Sequence, residues 1–270
     1  FLLVESAWAG NGGEWQYRIT YKEPQKNNPL FSLINYCKKN SIPTVFWNKE
    51  DPPNYDKFID AAKRFDYIFT TDQNCIKKYK RDAPNSVIDV LPFAAQPKIQ
   101  NPINRNQIEK RGEICFAGAW YARHPERFTD LRILLNAAAP YDTHIYDRYL
   151  NHPQHEKYKF PDEYQKFING SLSFKKMNEA YKQYDIFLNV NSVKDSPTMF
   201  SRRVLEIIAC GTPVVSGYAK GIESLLGSEI IPMCQTEEEA RLIISKLKDD
   251  HMAREKIVLR AQRIIFDLHT

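Results

Sequence analysis

Two arginines and a glutamate placed within one helical turn, Arg202, Arg203 and Glu206, are the residues of this sequence best suited to chemistry on a charged ligand. Guanidinium groups match phosphate oxygens in a two-pronged geometry, and a carboxylate one turn along can accept hydrogen bonds from two adjacent hydroxyls, as on a ribose. They lie in the stretch SPTMFSRRVLEIIACGTPVVS, residues 196–216. Its pattern predicts the αβ unit that would position them. Ser196 or Ser201 is expected to cap the helix, Val204, Leu205, Ile207 and Ile208 to form its apolar face, Gly211 to end it, and Val214 and Val215 to begin a buried strand. Backbone N–H groups without helical partners at such a start attract anions, so Ser201, Arg202, Arg203 and Glu206 together ask for a nucleotide diphosphate.

A second group with chemical potential is the loop NKEDPP, residues 48–53, just beyond an apolar strand signal over 43–47. Two prolines stiffen it, and Glu50 and Asp51 are the candidate catalytic carboxylates, since a general base must be held within hydrogen-bond reach of the group it deprotonates. The competing reading makes Asp51 or Asn54 a cap for the helix that contains Phe58, Ile59 and Ala62. Near the start of the chain, Glu5, Trp8 and Trp15 flank the glycines of the 10–13 loop and are candidates for binding an acceptor, the tryptophans by stacking on a sugar. In the loop CFAGAWYARHPER, Gly118 lets a ligand approach the backbone, while Arg123, His124 and Arg127 are candidates to meet phosphate or acceptor.

The elements that must position these residues alternate strand and helix along the whole chain. Phe1–Val4 reads as a buried strand of a parallel sheet, and a chain beginning there begins inside its first domain. Helical periodicity over Leu30–Cys37, a strand at 43–47, a helix to Phe65, a strand at Asp66–Thr71, a helix at Cys75–Tyr79 capped by Asp72, and a strand at Ser86–Leu91 complete that domain. The proline-containing stretch after it loses periodicity and reads as a linker. Alternation resumes with a strand at Glu113–Ala117, a helix over 125–138, strands at His144–Tyr146 and Asp185–Asn191, and two amphipathic helices at Glu237–Lys248 and Ala253–Leu268. The resulting division is 1–96, a linker at 97–111, 112–250, and a final helix in 251–270.

The stretch RRVLEIIACGTPVVS resembles the nucleotide-sugar motif of GT-B glycosyltransferases, in which a carboxylate on this helix holds the donor ribose. LLVESAWAGNGGEW, IPTVFWNKEDPPNYDKFI, FDYIFTTD, LPFAAQP and CFAGAWYARHPER resemble one branch, the spore-maturation (CgeB-like) enzymes. The resemblance implies an α/β fold of two Rossmann-like domains facing across a cleft, with the final helix crossing back onto the first. It also places Gly170 near the nucleobase. It implies a transferase that moves a sugar from a nucleotide-diphosphate donor, a UDP-sugar above all, to a cell-surface, spore or glycan acceptor. No metal or other cofactor is called for, the nucleotide-sugar being a co-substrate. Where many retaining members carry a second glutamate eight positions before the ribose-binding one, this chain has Thr198. The alternatives from other classes are a non-catalytic sugar-nucleotide or polysaccharide-binding protein and a GT-B nucleotide-sugar 2-epimerase.

Composition narrows the classes. With 270 residues, 43% of them hydrophobic, the chain can build two cores. A formal charge of +5 without a long Lys/Arg run or a zinc spacing argues against nucleic acid as a partner and leaves peripheral contact with an anionic membrane open. His152 and His155 lack a third ligand nearby in sequence and read as a solvated loop. Five widely spaced cysteines read as reduced core thiols, which places the protein in the cytoplasm.

Overall fold

The computed structural model of the protein describes residues 1–20, 28–122 and 124–270, and within them two compact units. The first comprises Phe1–Phe93 together with the short segment Ser196–Met199. Its strands β1 (Leu2–Glu5), β2 (Thr44–Asn48), β3 (Tyr67–Thr70) and β4 (Val87–Val90) pair in parallel in the order β1-β2-β3-β4. Parallel neighbours need crossover connections, and helices α1 (Pro29–Lys39), α2 (Tyr55–Ala62) and α3 (Ile76–Asp82) supply them. Local sequence sets the helix starts: Asn28 accepts from the Leu30 amide at 3.0 Å ahead of Pro29, so α1 begins where a capping side chain precedes a proline. Leu30, Ile34 and Cys37 are its buried residues, and Leu30 and Ile34 join Phe46, Phe58 and Ile68 in the first core.

The strand expected to be buried at the chain start is an edge strand. Leu3 is half exposed, because β1 has a neighbour on one side only, in the register Leu3 opposite Val45.

The second unit, Ala94–Asp195 with Phe200–Thr270, holds a five-stranded parallel sheet. Its strands are β5 (Ile114–Gly118), β6 (Thr143–Asp147), β7 (Ile186–Asn189), β8 (Val214–Gly217) and β9 (Met233–Cys234), in the order β6-β5-β7-β8-β9. Helices on both faces explain why β5, β7 and β8 are buried along their whole length, giving continuous apolar runs where a half-exposed strand would alternate. The helices are α4 (Pro125–Ala138), the short α5 (His155–Tyr158) and α6 (Asp162–Gln165), α7 (Phe174–Ala180), α8 (Arg203–Ala209), α9 (Lys220–Leu225), α10 (Glu237–Asp249) and α11 (His251–Leu268). The chain leaves β5 toward β6 on one side and later returns to β7 on the other. The order therefore reverses between β5 and β7, and the carboxyl ends of those strands form the crevice where open α/β sheets bind ligands.

Helix α8 carries the arginines and the glutamate, and three features hold it. Val204, Leu205, Ile207 and Ile208 are fully buried, each contributing about 1.5–3 kcal/mol of burial. On α11, Gln262 Nε2 donates to the Ile208 and Ala209 carbonyls at 3.1 and 3.2 Å, satisfying acceptors that the helix end leaves open. Gly211 then turns the chain with φ +95°, and a Cβ there would lie 2.8 Å from Arg105 Cδ and 3.2 Å from Pro102 Cβ. Gly211→Ala should lower stability by about 1–2 kcal/mol, the cost of a left-handed non-glycine residue. Urea unfolding of the variant tests this, and an unchanged midpoint would show that the α8 end tolerates a side chain.

The segment Ala94–Arg111 is irregular apart from one 3-10 turn at Arg105–Gln107, and it packs within the second unit, where the Ala95 amide donates to the His269 carbonyl at 2.8 Å. Among the described residues no helix is long and apolar enough to cross a membrane, and all five cysteines are free and buried.

Candidate functional site

At the carboxyl ends of β5 and β6 lies a cavity of about 280 Å³. Ala117 and Gly118 come from the end of β5, Tyr146 and Arg148 from the end of β6, Leu172 to Tyr181 from the segment that becomes α7, and Ser201 to Glu206 from the start of α8. Residues far apart in sequence thus meet at the end of β5, one of the two strands between which the order reverses.

Glu206 is the one carboxylate lining this cavity, and its side chain is 12% exposed. Its two oxygens are held from opposite sides. Arg202 Nε lies 3.1 Å from Oε1, and the Tyr181 hydroxyl donates to Oε2 at 3.0 Å. Burial raises the pKa of the Tyr181 phenol well above its ordinary value, with the Glu206 charge adding to the effect against Arg203, so the phenol stays a donor. The sequence leaves Arg203 as the obvious partner of Glu206 three residues on. The structure pairs Glu206 with Arg202 instead, because Arg203 is drawn to the carboxyl end of β5, where its Nη1 donates to the Ala117 carbonyl at 2.5 Å.

Neither serine caps α8. The helix begins only at Arg203 and no side chain caps it. Ser196 Oγ donates to Asp72 Oδ1 at 2.5 Å and accepts from the Met199 amide at 3.0 Å, so it is part of the first unit, 124 residues from its partner in sequence. Thr198 is engaged there as well: its hydroxyl donates to the Thr71 carbonyl and accepts from the Gln73 amide, both at 2.9 Å. Ser201 does line the cavity, and its amide is fixed by Asn191, whose Oδ1 accepts from it at 2.9 Å while its Nδ2 donates to the Gly217 carbonyl at 3.0 Å. Sequence reasoning missed Asn191, Tyr181 and Arg148. The position of Asn191 just past the end of β7 is the signal that could have found it.

Gly118 lines the cavity beside Arg203. Gly170 has φ +99°, a conformation that suits glycine, and its carbonyl accepts from the Asp147 amide at the end of β6; two residues on, Leu172 lines the cavity. Arg123 lies outside the described residues.

In the first unit, the structure sets Asp51 inside the fold. It has no exposed surface, and it accepts from Asn48 Nδ2 at 2.8 Å, from the Thr70 hydroxyl at 2.6 Å and from the Tyr79 hydroxyl at 2.9 Å. Burial pushes its pKa up to about 7 against those hydrogen bonds. This geometry is that of a structural carboxyl, and neither a solvent-facing base nor a cap of α2 describes it, since α2 follows Asn54 without a side-chain cap. Glu50 is half-buried and accepts from Asn54 Nδ2 at 2.9 Å. Glu5 pairs with Lys49 at the carboxyl ends of β1 and β2. Trp8 is 37% exposed and meets Phe58 edge-on at 5.4 Å, while Trp15 packs against the first core. His155 Nε2 lies 3.5 Å from Asp147 Oδ2, and among the described residues no three His, Cys, Asp or Glu side chains are grouped to hold a metal ion.

A family model described as glycosyl transferase-like matches residues 117–270, which include every residue lining the cavity. Among solved structures, the chain is similar to Anabaena HepE in complex with UDP and glucose, at 15% identity and a TM-score of 0.56 over 88% of this chain and 70% of that one. It is also similar to a glycosyltransferase from Rickettsia africae, at 11% identity and a TM-score of 0.60 over 100% and 93%. A third is an alpha-glucosyltransferase in complex with UDP and a DNA 13-mer, at 12% identity and a TM-score of 0.64 over 100% and 76%. At these identities the likeness is one of fold. No curated protein matches the sequence.

Proposed function

Because the chain belongs to the glycosyl transferase-like family, we propose that it transfers a sugar from a UDP-sugar held in the cavity of the second unit to a hydroxyl of a glycan or cell-surface acceptor. Its fold is GT-B, with two Rossmann-like domains. The observation that carries the donor reading is the charge of the cavity. Three arginines, Arg148, Arg202 and Arg203, line it against the single carboxylate of Glu206. That excess of positive charge suits a diphosphate, and a buried carboxylate already oriented by Tyr181 suits the vicinal hydroxyls of a ribose. The uracil base is proposed because HepE and the alpha-glucosyltransferase were both solved with UDP.

In the reaction the bond between the sugar C1 and the β-phosphate oxygen breaks, UDP leaves with the electron pair, and the acceptor oxygen bonds to C1 as its proton passes to a base. Arg148, Arg202 and Arg203 neutralise the charge that develops on the departing diphosphate, so this reading requires no metal. Glu50 is the candidate base, Glu5, Trp8 and Trp15 are the acceptor-side candidates, and a CgeB-like acceptor chemistry and a cytoplasmic location belong to the same proposal.

The deciding experiment incubates the protein with UDP-glucose, UDP-galactose and UDP-N-acetylglucosamine labelled in the sugar, with and without a glycan acceptor mixture. Acceptor-dependent release of UDP, with label recovered in the glycan, is the expected result. Recovery of a C2 epimer, or of donor that binds but stays intact with every acceptor, would overturn transfer as the function.

A further inference from the structure

Arg127 lies in the first turn of α4 and is only 7% exposed, yet no carboxylate among the described residues lies within ion-pairing distance of it. Its Nη1 donates to the Ala119 carbonyl at 3.1 Å, and its guanidinium sits over the Tyr121 ring, 4.8 Å from the centroid. A cation withdrawn from water is costly unless an anion offsets it, and a carbonyl with an aromatic face offsets it in part. Burial lowers its pKa to about 10, and the nearby charge of Arg203 pulls the same way.

Arg203 is held at the same carboxyl end of β5. Its Nη1 is on the Ala117 carbonyl, and it too has no carboxylate partner among the described residues. Between the two carbonyls is Gly118, where a Cβ would lie 3.6 Å from Arg203 Nη1. Glu206, the carboxylate of the cavity, pairs with Arg202 and Tyr181 and with neither of these two guanidiniums. Two guanidiniums are thus held by alternate carbonyls at the end of β5, repelling each other, beside a cavity whose wall includes Gly118 and Arg203. Packing alone does not ask for this arrangement, because an uncharged side chain of similar length would fill the place of Arg127 without the desolvation cost. An anion in the cavity beside Gly118 would relieve it.

We propose that Arg127 is a positioning residue for the donor diphosphate: anchored on the Ala119 carbonyl at the end of β5 and outside the cavity wall, without touching the ligand, it joins Arg203 in the positive field that draws the diphosphate against Gly118. The inference rests on the nucleotide-sugar reading of the cavity and adds to it a residue outside the cavity wall.

The test compares wild type and Arg127→Gln in calorimetric titrations with uridine, UMP and UDP. The expected loss grows with ligand charge: within about twofold for uridine, intermediate for UMP, and about tenfold for UDP. Equal losses for all three ligands, which is how a merely structural role would act, or no loss for UDP, overturn the proposal. A wild-type protein that binds UDP no better than uridine would instead sink the nucleotide reading itself. Should Arg127→Gln not fold, the wild-type protein answers by NMR. The guanidinium nitrogen resonance of Arg127, assigned by its loss in Arg127→Lys, should shift with UDP and with inorganic pyrophosphate and stay in place with uridine. A shift of equal size with uridine, or no shift with UDP, overturns it.

Discussion

Replacing Glu206 with glutamine should weaken UDP binding by about 10- to 100-fold while leaving 2′,3′-dideoxy-UDP bound as well as before or slightly better. Oε2 is committed to the Tyr181 hydroxyl, which burial keeps protonated, so the plane and reach of Oε1 are fixed before any ligand arrives. Oε1 faces Arg202, whose side chain is about half exposed and can move, whereas Tyr181 is buried and cannot. A ribose entering the cavity therefore competes with Arg202 for Oε1 and supplies hydroxyl donors in its place. Hydrogen bonds to a charged acceptor are worth about 1.5–3 kcal/mol, which sets the expected range. Glutamine keeps the shape, loses the charge, and releases Arg202 toward the phosphates, so a ligand without the hydroxyls loses nothing and can gain. Calorimetry with the two nucleotides decides the matter. If both ligands weaken alike, or neither does, Glu206 is a structural carboxylate and the ribose assignment fails.

Much of this arrangement is legible in the sequence where the signals are local. The helix over 125–138 follows from the proline at its start and its apolar spacing, and α4 occupies that range. Gly211 marks the end of α8 because a tight left-handed turn needs it, and Asp72 caps a helical turn, accepting from the Asn74 amide at 3.0 Å. What could not be read are partners chosen across the fold. Ser196 has the sequence context of a helix cap, yet a carboxylate 124 positions away takes its hydroxyl, and the backbone runs on without helix to Arg202. Arg203 is as near to Glu206 in sequence as a helical ion pair requires, yet a carbonyl of β5 claims it. The strand order, which creates the crevice between β5 and β7, leaves no local trace at all, since β5 and β7 are separated by β6 in the chain and adjacent in the sheet. Local propensity writes the elements, and tertiary competition for donors and acceptors writes the site.

Asp51 should make the stability of the first unit fall as pH rises from about 4 to about 7. Its carboxyl is fully buried, and burial pushes its folded-state pKa up to about 7, opposed by hydrogen bonds from Thr70 and Tyr79, raised a little further by the Asp72 charge and lowered by Lys78. In the unfolded chain an aspartate titrates near ~3.9. The sign follows from proton counting. Between those two values the folded protein holds a proton that the unfolded chain has released, so stability falls with rising pH at up to about 1.4 kcal/mol per pH unit. Below about 4 both states are protonated and the contribution is fully present; above about 7 both are ionised and it is gone, a total on the order of 4 kcal/mol. Asp51→Asn removes the titration while keeping the shape that Asn48, Thr70 and Tyr79 surround. Because Trp8, Trp15 and Trp47 lie in the first unit and only Trp120 in the second, tryptophan fluorescence during urea unfolding reports mainly on the unit that holds Asp51. The difference between the wild-type and Asp51→Asn stability curves should therefore slope downward from pH 4 to 7 and run flat above it. Parallel curves across that window would mean that Asp51 is ionised in the folded protein throughout, with its three donors outweighing burial.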